Sequence, residues 1–362
     1  MSKEISFVAS VLDPLQKDKA ASMKHLEDVD QLTLRNTLRK NKVVVSFEKN
    51  LETMGPWKDV FFGKFHTLET FYENVHAKID EDLQEFGRIK DSFSKDNVEF
   101  LLIKSDGSFP HESDNIDILI RPEKLGMVAR LLKEAGYSEI PRVRESHKFL
   151  FRNTNAFKVL PLHIHTRVEW EGTQFIDSRD LWGKSGISRI SRGNGGFSIP
   201  SPEDCILITA AHLFFEDHEI KLADLLKIDS RIRNFNIDWD YVFERASRFH
   251  WNDAFRLTMF QLDQLCDSFY ERSMLKEGTL SRMEELDHRW DRLFRKIMVP
   301  SDPAWTLLKI PYPVAGFFFL RKVLDDSNSN ITERLRHLGL ISCDVIKRNT
   351  INRDPSMKKR YL

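Results

Sequence analysis

The chain has 362 residues, of which 41% are hydrophobic and 30% are charged, so it is long enough for two or three packed units with a substantial core. Lysine plus arginine and aspartate plus glutamate both total 55, which excludes an overall charge that attracts nucleic acid or an anionic membrane. The balance is that of a folded globular protein rather than a disordered one.

The cysteines and the apolar runs indicate a reduced, cytoplasmic protein. Cys205, Cys266 and Cys343 are far apart and show no spacing typical of a zinc site or a disulfide framework, so no disulfides are expected. The N-terminal stretch MSKEISFVASVLDPLQ lacks the continuous apolar core of a secretion signal. The later run PVAGFFFL is too short to cross a bilayer, so no membrane span is expected.

Helices are predicted first along the chain. The stretch from about Asp28 to Leu51 has the pattern of a helix followed by a short apolar segment. From Phe65 to Phe93, apolar residues recur at spacings of three and four, which predicts one apolar stripe on a long helix. Because no heptads continue beyond it, packing against the next domain is favoured over a coiled coil.

A mixed α/β unit is predicted from Val98 onward. VEFLLIKS and NIDILI are predicted strands, with a turn signal at Asp106 and Gly107 between them. A helix is predicted from Pro122 to Ala135. HKFLFRN and AFKVLPLHIHTRVEW then predict an antiparallel hairpin.

The pattern returns to helix after the sheet. SRGNGGFSIPSPED lacks the lysine and the strand-to-helix context of a phosphate-binding loop, so its glycines predict a hairpin turn. Ser201, Pro202 and Asp204 form a helix-start signal: a capping hydroxyl, a proline at the first helical position and a carboxylate in the first turn. The predicted fold is α+β, with a helical region, a mixed α/β domain and a second helical domain, at residues 1–95, 96–200 and 201–362.

The strand NIDILI carries the candidate chemistry. Because successive side chains of a strand alternate between its faces, Asn115, Asp117 and Leu119 share one face. Two acids on one face, close to a glycine-serine turn, are typical of phosphoryl or nucleotidyl transfer, in which carboxylates hold Mg²⁺ against a triphosphate. Here the first acid position is asparagine, which keeps a carbonyl ligand and lacks the charge.

The order of these segments resembles a known family. The uncharacterised nucleotidyltransferases of the polymerase-β-type superfamily have the same order of elements as LEDVDQLTLRNTLRKNKVVVSFEKNL, FLLIKS, DNIDILI, LLKEAGY, LPLHIHTRVEWEG and FSIPSPEDCILITAAHLFFEDHEIKLADLLKI. The resemblance covers about residues 25–265. It implies a fold with a small mixed sheet flanked by helical regions. It also implies that the protein uses an NTP as substrate.

The resemblance also implies which residues form the site. Asn115 and Asp117 match the paired metal-binding aspartates, and Pro161 matches the third carboxylate, so Asp117 alone survives. The implied cofactor is Mg²⁺, or Mn²⁺. The implied substrate-binding residues are Lys104, Ser105, Gly107 and Ser108 in the turn, and His218, Lys221 and Asp224 in the helical domain.

Substitutes for the lost carboxylates are an open question. Glu112, Asp114 and Glu169 are acids close to the strands, and their spacing alone does not place them against Asp117. A two-metal reaction with Mg²⁺ requires such a substitute, because this hard ion depends on carboxylates.

Histidines offer a different ligand set. His163 and His165 share one face of LPLHIH and, with Asp117 across the sheet, are candidate ligands of a transition metal such as Mn²⁺ or Zn²⁺. Two alternating histidines are also common as the polar face of a strand. His212, within the apolar ITAAHLFF, is predicted to be a core or inter-helix histidine.

Two functions remain open at this point. The first is transfer of a nucleoside monophosphate from an NTP to an unknown small-molecule or macromolecular acceptor. In this hypothesis Asp117 holds the metal ion, and Asn115 assists in holding it. Lys104 neutralises negative charge, and Ser105 or Ser108 holds phosphate together with its backbone amides. The second is a pseudoenzyme that binds a nucleotide or another anion without turnover, which the loss of two carboxylates favours. Fold alone does not decide between them.

Overall fold

A computed structural model describes most of the chain. The described residues are 3–13, 15, 23, 26–104, 112–140, 147–155, 159–170, 173–183, 186–188, 197–284, 308–310 and 312–325. Ser105, Gly107, Ser108 and Cys343 lie outside them. Within these residues, Cys205 and Cys266 are buried free thiols, and no helix combines the length and apolarity needed to cross a membrane.

Helices occupy the N-terminal region. They are Lys3–Leu12 (α1), Gln31–Lys40 (α2), Val44–Glu52 (α3), Pro56–Lys64 (α4) and His66–Lys95 (α5), with a 3₁₀ turn at Leu26–Asp28. The rings of Phe7, Phe47 and Phe61 meet at centroid distances of 5.9, 6.4 and 5.7 Å at the centre of this bundle. The apolar segment predicted after the first helix is itself helical, because Phe47 and Leu51 recur at helical spacing and are buried in α3.

The long helix predicted over Phe65 to Phe93 is confirmed as α5. Its buried apolar side chains are Leu68, Tyr72, Phe86, Ile89 and Phe93. The first two belong to the core of the N-terminal helices, and the last three belong to the core beneath the sheet. The stripe on α5 therefore packs against two groups of elements and connects them.

A five-stranded sheet forms the α/β part. Its strands are Phe100–Ile103 (β1), Ile116–Ile120 (β2), Tyr137–Ile140 (β3), Lys148–Asn153 (β4) and Leu162–His165 (β5), in the order β1-β2-β5-β4-β3. β2 and β5 run parallel, and the other neighbours are antiparallel. The two predicted strands and the antiparallel pairing of the predicted hairpin are confirmed. No prediction covers β3, because its last three residues are exposed and it lacks an apolar run.

Helix α6, Leu125–Glu134, crosses over between β2 and β3 after a 3₁₀ turn at Pro122–Lys124. Gly136 follows it at φ +88°, a conformation that favours glycine. The predicted helix from Pro122 to Ala135 is therefore confirmed, with its first turn in 3₁₀ form.

The two faces of the sheet face different cores. Ile116, Ile118 and Ile120 of β2 pack in the core that includes α6 and the end of α5, and Leu119 packs in the core shared with the other helices. This alternation is the one predicted for β2. Asp117 shares the side of Leu119, so its carboxylate faces the helices that follow the sheet rather than α6.

The C-terminal half is mainly helical. Its elements are β6 (Glu169–Trp170), β7 (Thr173–Gln174), α7 (Ser178–Gly183), β8 (Gly186–Ser188), β9 (Phe197–Ile199), α8 (Pro202–His212), a π turn (Leu213–Asp217), β10 (Glu219–Ile220), α9 (Leu222–Asn234), α10 (Trp239–Arg248), α11 (Asn252–Tyr270), α12 (Glu277–Glu284), β11 (Leu308–Lys309) and α13 (Tyr312–Asp325). The predicted start of α8 is confirmed, since Oγ of Ser201 accepts from the backbone N–H of Asp204 at 3.1 Å. β8 and β9 pair antiparallel, and the glycines predicted as their turn lie outside the described residues.

Asn41, at the end of α2, ties the N-terminal helices to α9. Its Oδ1 accepts a hydrogen bond from the backbone N–H of Leu222 at 3.0 Å, and its backbone carbonyl accepts one from the backbone N–H of Ala223 at 3.2 Å. Its Nδ2 donates to the carbonyl of Thr37 at 3.0 Å, and the residue is fully buried. Asn41 therefore satisfies two N–H groups that the start of α9 leaves without a partner in its own helix.

Asn41→Ala is expected to lower the free energy of unfolding by about 1–3 kcal/mol, because it leaves a buried N–H of α9 without its acceptor. Urea denaturation measures this loss. Asn36→Ala, at an exposed position of the same helix, is the matched control and is expected to stay within about 0.5 kcal/mol. Equal stabilities for the two variants would contradict the capping role of Asn41.

Candidate functional site

Asp117 lies buried in β2, between strands β1 and β5. It pairs with Ile103 of β1 and with His163 of β5 in the sheet register. His165 lies two residues beyond His163, on the same face of β5. The parallel pairing of β2 with β5 therefore brings one carboxylate and two imidazoles to one face of the sheet.

One oxygen of Asp117 is the meeting point of three side chains. Oδ1 accepts a hydrogen bond from Nε2 of His165 at 2.8 Å, and it lies 3.4 Å from Nδ1 of His163. Nζ of Lys104 lies 3.5 Å from the same oxygen. One potential ligand atom from each of Asp117, His163 and His165 lies within 4.8 Å of the others, and all three residues are buried.

Burial sets the charges of this group. Burial lowers the pKa of His165 to about 3, although the hydrogen bond with Asp117 acts to raise it. The imidazole is therefore neutral near pH 7. Burial alone would raise the pKa of Asp117, but the charge of Lys104 and the hydrogen bond from His165 hold it well below its usual value. A carboxylate beside a neutral imidazole is the protonation state that a metal ion requires.

Asn115 precedes β2 and contacts His163. Its Nδ2 lies 2.6 Å from Nδ1 of that imidazole. Asn115 thus fixes the orientation of the His163 ring through the nitrogen that also faces Asp117.

Lys104 joins Asp117 to a second carboxylate. It directly follows β1 at φ +61°, and its Nζ lies 2.9 Å from Oε2 of Glu216. Burial opposes its charge, but Asp117 and Glu216 raise the pKa of Lys104 above its ordinary value. Lys148 of β4 approaches the same carboxylate from the other side, with Nζ 2.9 Å from Oε1 of Glu216.

Two further groups reach Glu216. The indole N–H of Trp170 donates to its Oε2, and Nε2 of His212 lies 3.3 Å from the same oxygen. Burial raises the pKa of Glu216, but the charges of Lys104 and Lys148 outweigh it and hold that pKa well below the usual value. Glu216 is therefore a charged carboxylate surrounded by donors.

Glu216 is not among the residues predicted from the sequence. It sits in the π turn that extends α8, a type of turn that is concentrated at functional sites. His218 ends this turn at φ +55°, and its Nδ1 lies 2.8 Å from the carbonyl oxygen of Phe214. The sequence signal was the pair of acids, Glu216 and Asp217, that breaks the apolar ITAAHLFF pattern.

The sequence of this region identifies its family. Residues 112–267 match the model of the family described as uncharacterised nucleotidyltransferase. This segment belongs to the uncharacterised nucleotidyltransferases. None of the curated proteins compared with the chain matches it. A solved structure, the solution structure of the antibiotic-resistance factor ANT(2'')-Ia, is similar at 11% identity over 47% of this chain and 91% of that one, with a TM-score of 0.36.

The three acids that could replace the missing carboxylates of this nucleotidyltransferase segment do not contact Asp117 and have other partners. Glu112 accepts from the backbone N–H of Val45 at 2.8 Å and so caps α3. Asp114 pairs with Lys42 at 2.7 Å, and Glu169 lies 3.3 Å from His147. These contacts place the three acids against other partners than Asp117.

The donor set around Asp117 favours some ions over others. Mg²⁺ requires oxygen ligands and leans on carboxylates, whereas the described side chains on Oδ1 of Asp117 are two imidazoles and an ammonium group. These residues do not fit Mg²⁺ as paired aspartates fit it. Two imidazoles with one carboxylate do fit a transition metal such as Mn²⁺ or Zn²⁺.

The residues predicted on the helical side have local partners. Lys221 pairs with Asp217 and with Glu219, each at 3.0 Å. Asp224 accepts from the backbone N–H of Lys221 at 3.0 Å and so caps α9. Asp217 lies 3.8 Å from His212, which connects Lys221 to the surroundings of Glu216. His212 is half-buried beside these acids rather than in the apolar core.

Proposed function

We propose that the protein transfers a nucleoside monophosphate from an NTP to an acceptor, with a divalent transition-metal ion held by Asp117, His163 and His165. The observation that carries the proposal is the convergence of both imidazoles on Oδ1 of Asp117. The family of residues 112–267 supports the reaction class.

Each residue has a defined task in this proposal. Asp117 supplies the charged ligand, and His163 and His165 supply neutral nitrogens. A divalent ion bound there would polarise phosphate oxygens and offset the charge that builds up during transfer. Lys104 holds a fixed positive charge 3.5 Å from Asp117, where it stabilises negative charge on a nearby phosphate.

A second candidate is binding of a nucleotide without transfer. Lys104 favours it, because its ammonium group lies 3.5 Å from Asp117 and 2.9 Å from Glu216, where it offsets part of their negative charge. A protein of this kind would bind the triphosphate through its lysines and would not depend on metal.

Calorimetry with ATP, GTP, CTP and UTP separates the two candidates. The titrations are run with Mn²⁺, Zn²⁺, Mg²⁺ and a chelator, and release of pyrophosphate is followed in parallel. Binding and pyrophosphate release that require Mn²⁺ or Zn²⁺ support transfer. Binding that is equal with chelator, without pyrophosphate release, supports the second candidate and contradicts the first.

Asp117→Asn tests the metal site directly. The variant keeps the shape of the side chain and an oxygen that accepts from His165, and it removes the charge. We expect metal affinity to fall by about 100-fold, equivalent to about 3 kcal/mol. Asp114→Asn is the matched control: Asp114 lies three residues earlier, is 84% exposed and pairs with Lys42, so this variant is expected to leave metal affinity unchanged. Equal affinities of the two variants would remove Asp117 from the site.

A further inference from the structure

We infer that Lys104, Lys148, Trp170 and His212 form a subsite for the polyphosphate chain of a nucleotide, and that the carboxylate of Glu216 fills this subsite until the nucleotide displaces it. The identity of the ligand as a nucleotide rests on the proposed function. The subsite itself rests on the contacts of Glu216.

The donors around Glu216 are those that bind phosphate oxygens. Lys104 and Lys148 contact different oxygens of the carboxylate, each at 2.9 Å, and the Trp170 indole donates to Oε2. His212 lies 3.3 Å from Oε2. Carboxylate and phosphate oxygens accept the same charge-assisted hydrogen bonds, so a phosphate group that takes the place of Glu216 finds its donors already positioned.

The lysines lie deeper than the carboxylate. The side chain of Lys148 is 4% exposed and that of Lys104 is 12% exposed, whereas the side chain of Glu216 is 23% exposed. An anion that approaches from solvent therefore reaches Glu216 before it reaches the ammonium groups. Release of Glu216 toward solvent is the movement that uncovers them.

The two lysines that contact Glu216 face two carboxylates. Lys104 and Lys148 carry two positive charges, and Asp117 and Glu216 carry two negative ones. A polyphosphate chain carries more negative charge than one carboxylate, so two buried lysines bind it more strongly once Glu216 has left.

The position of the cluster favours a ligand over a purely structural network. Lys104 contacts Asp117 as well as Glu216, so a phosphate in the place of Glu216 lies next to the proposed metal ligands. Glu216 also sits in the π turn after α8, where the hydrogen-bond pattern of the helix is interrupted. A network that only stabilised the fold would require neither the contact of Lys104 with Asp117 nor the position of Glu216 in a π turn.

The test is the affinity for inorganic triphosphate, measured by calorimetry in the presence of chelator. Glu216→Gln keeps the shape of the side chain and removes the charge that competes with phosphate, so we expect triphosphate to bind about tenfold more tightly than to the unmodified protein. Adenosine, which carries no phosphate, is expected to gain no affinity. An affinity for triphosphate that is unchanged or weaker in Glu216→Gln overturns the inference.

Glu219→Gln is the matched control. Glu219 is also a half-buried acid of this segment, but it pairs with Lys221 at 3.0 Å. We expect the affinity of this variant for triphosphate to match that of the unmodified protein. An equal gain of affinity in both variants would mean that the loss of any negative charge in this region, and not the subsite, is responsible.

If Glu216→Gln fails to fold, Glu216→Asp replaces it. The shorter carboxylate holds the lysines less well, so it too is expected to bind triphosphate more tightly, and an unchanged affinity overturns the inference.

Failure of this inference and failure of the proposed function give different results. The triphosphate titration contains neither metal nor acceptor. A gain of affinity in Glu216→Gln together with no nucleotidyl transfer supports the subsite and removes the proposed reaction. Metal-dependent transfer without that gain retains the reaction and overturns the subsite.

Discussion

Replacing Lys104 by methionine is expected to tighten the binding of Mn²⁺ or Zn²⁺ at Asp117 by tenfold or more. Nζ of Lys104 lies 3.5 Å from Oδ1 of Asp117, so its positive charge repels any cation that uses this oxygen. Two unit charges about 4 Å apart near a protein surface interact by about 4 kcal/mol, and tenfold in affinity requires only about 1.4 kcal/mol. Methionine retains most of the apolar stem of lysine and removes the charge.

The same substitution is expected to weaken the binding of triphosphate by tenfold or more, because the subsite loses one of its two ammonium groups. Calorimetry measures both ligands on the same protein. Lys133→Met, at an exposed position of α6, is the matched control and is expected to change neither affinity. Opposite shifts for metal and triphosphate are the decisive result, since general damage to the site would weaken both. Weaker metal binding in Lys104→Met would contradict the competition between ammonium and metal.

Lys104→Met also tests stability. It leaves Asp117 and Glu216 with one fewer partner in a buried setting, and removal of one member of a buried charged network costs about 3–5 kcal/mol. The thermal midpoint is therefore expected to fall. Bound metal is expected to restore part of the loss, because an ion that binds the folded state alone stabilises it.

Local patterns were sufficient to predict the face of β2 that carries Asp117. Alternation along NIDILI and LPLHIH predicts that Asp117 shares a face with Leu119, and His163 with His165. The apolar side chains of β2 do alternate in this way between the cores on the two sides of the sheet. The start of α8 at Ser201 follows from a capping pattern of four residues in the same way. Short-range rules suffice where the cause lies within a few residues.

Glu216 shows where such rules end. Its contacts with Lys104 and Lys148 span 112 and 68 residues, so only the tertiary fold brings these groups together. Glu112 is the converse case: its position near the strand makes it a candidate substitute metal ligand, but it caps α3 from 67 residues away. The charge of a residue is readable from the sequence, but its partner depends on the tertiary fold.

The two charged centres differ in the ligand that suits them. Asp117 gathers imidazoles, which suit a cation of intermediate softness, whereas Glu216 gathers ammonium, indole and imidazole groups, which suit an anion. Lys104 contacts both carboxylates, so a change of ligand at one centre alters the charge felt at the other. A metal–triphosphate pair satisfies both at once, which is the chemical reason for proposing an NTP rather than a simple anion.

Asp229→Ala is expected to lower the free energy of unfolding by about 3–5 kcal/mol, the cost of removing one partner from a buried ion pair. Asp229 of α9 is fully buried, and its two oxygens accept from Nη1 and Nη2 of Arg272 at 2.9 Å each. Arg233 donates to the same carboxylate at 3.0 Å.

Asp240→Ala provides the control for Asp229→Ala in the same urea titration. Asp240 also joins two helices through an arginine, Arg282, at 2.7 Å, but its side chain is 89% exposed. Exposed ion pairs contribute about 0–1 kcal/mol, because water and salt screen them. A loss for Asp229→Ala no larger than that for Asp240→Ala would contradict the buried network. Because Asp229 contacts arginines rather than Asp117 or Glu216, we expect metal affinity per folded molecule to remain unchanged in both variants, which separates stability from the chemistry of the site.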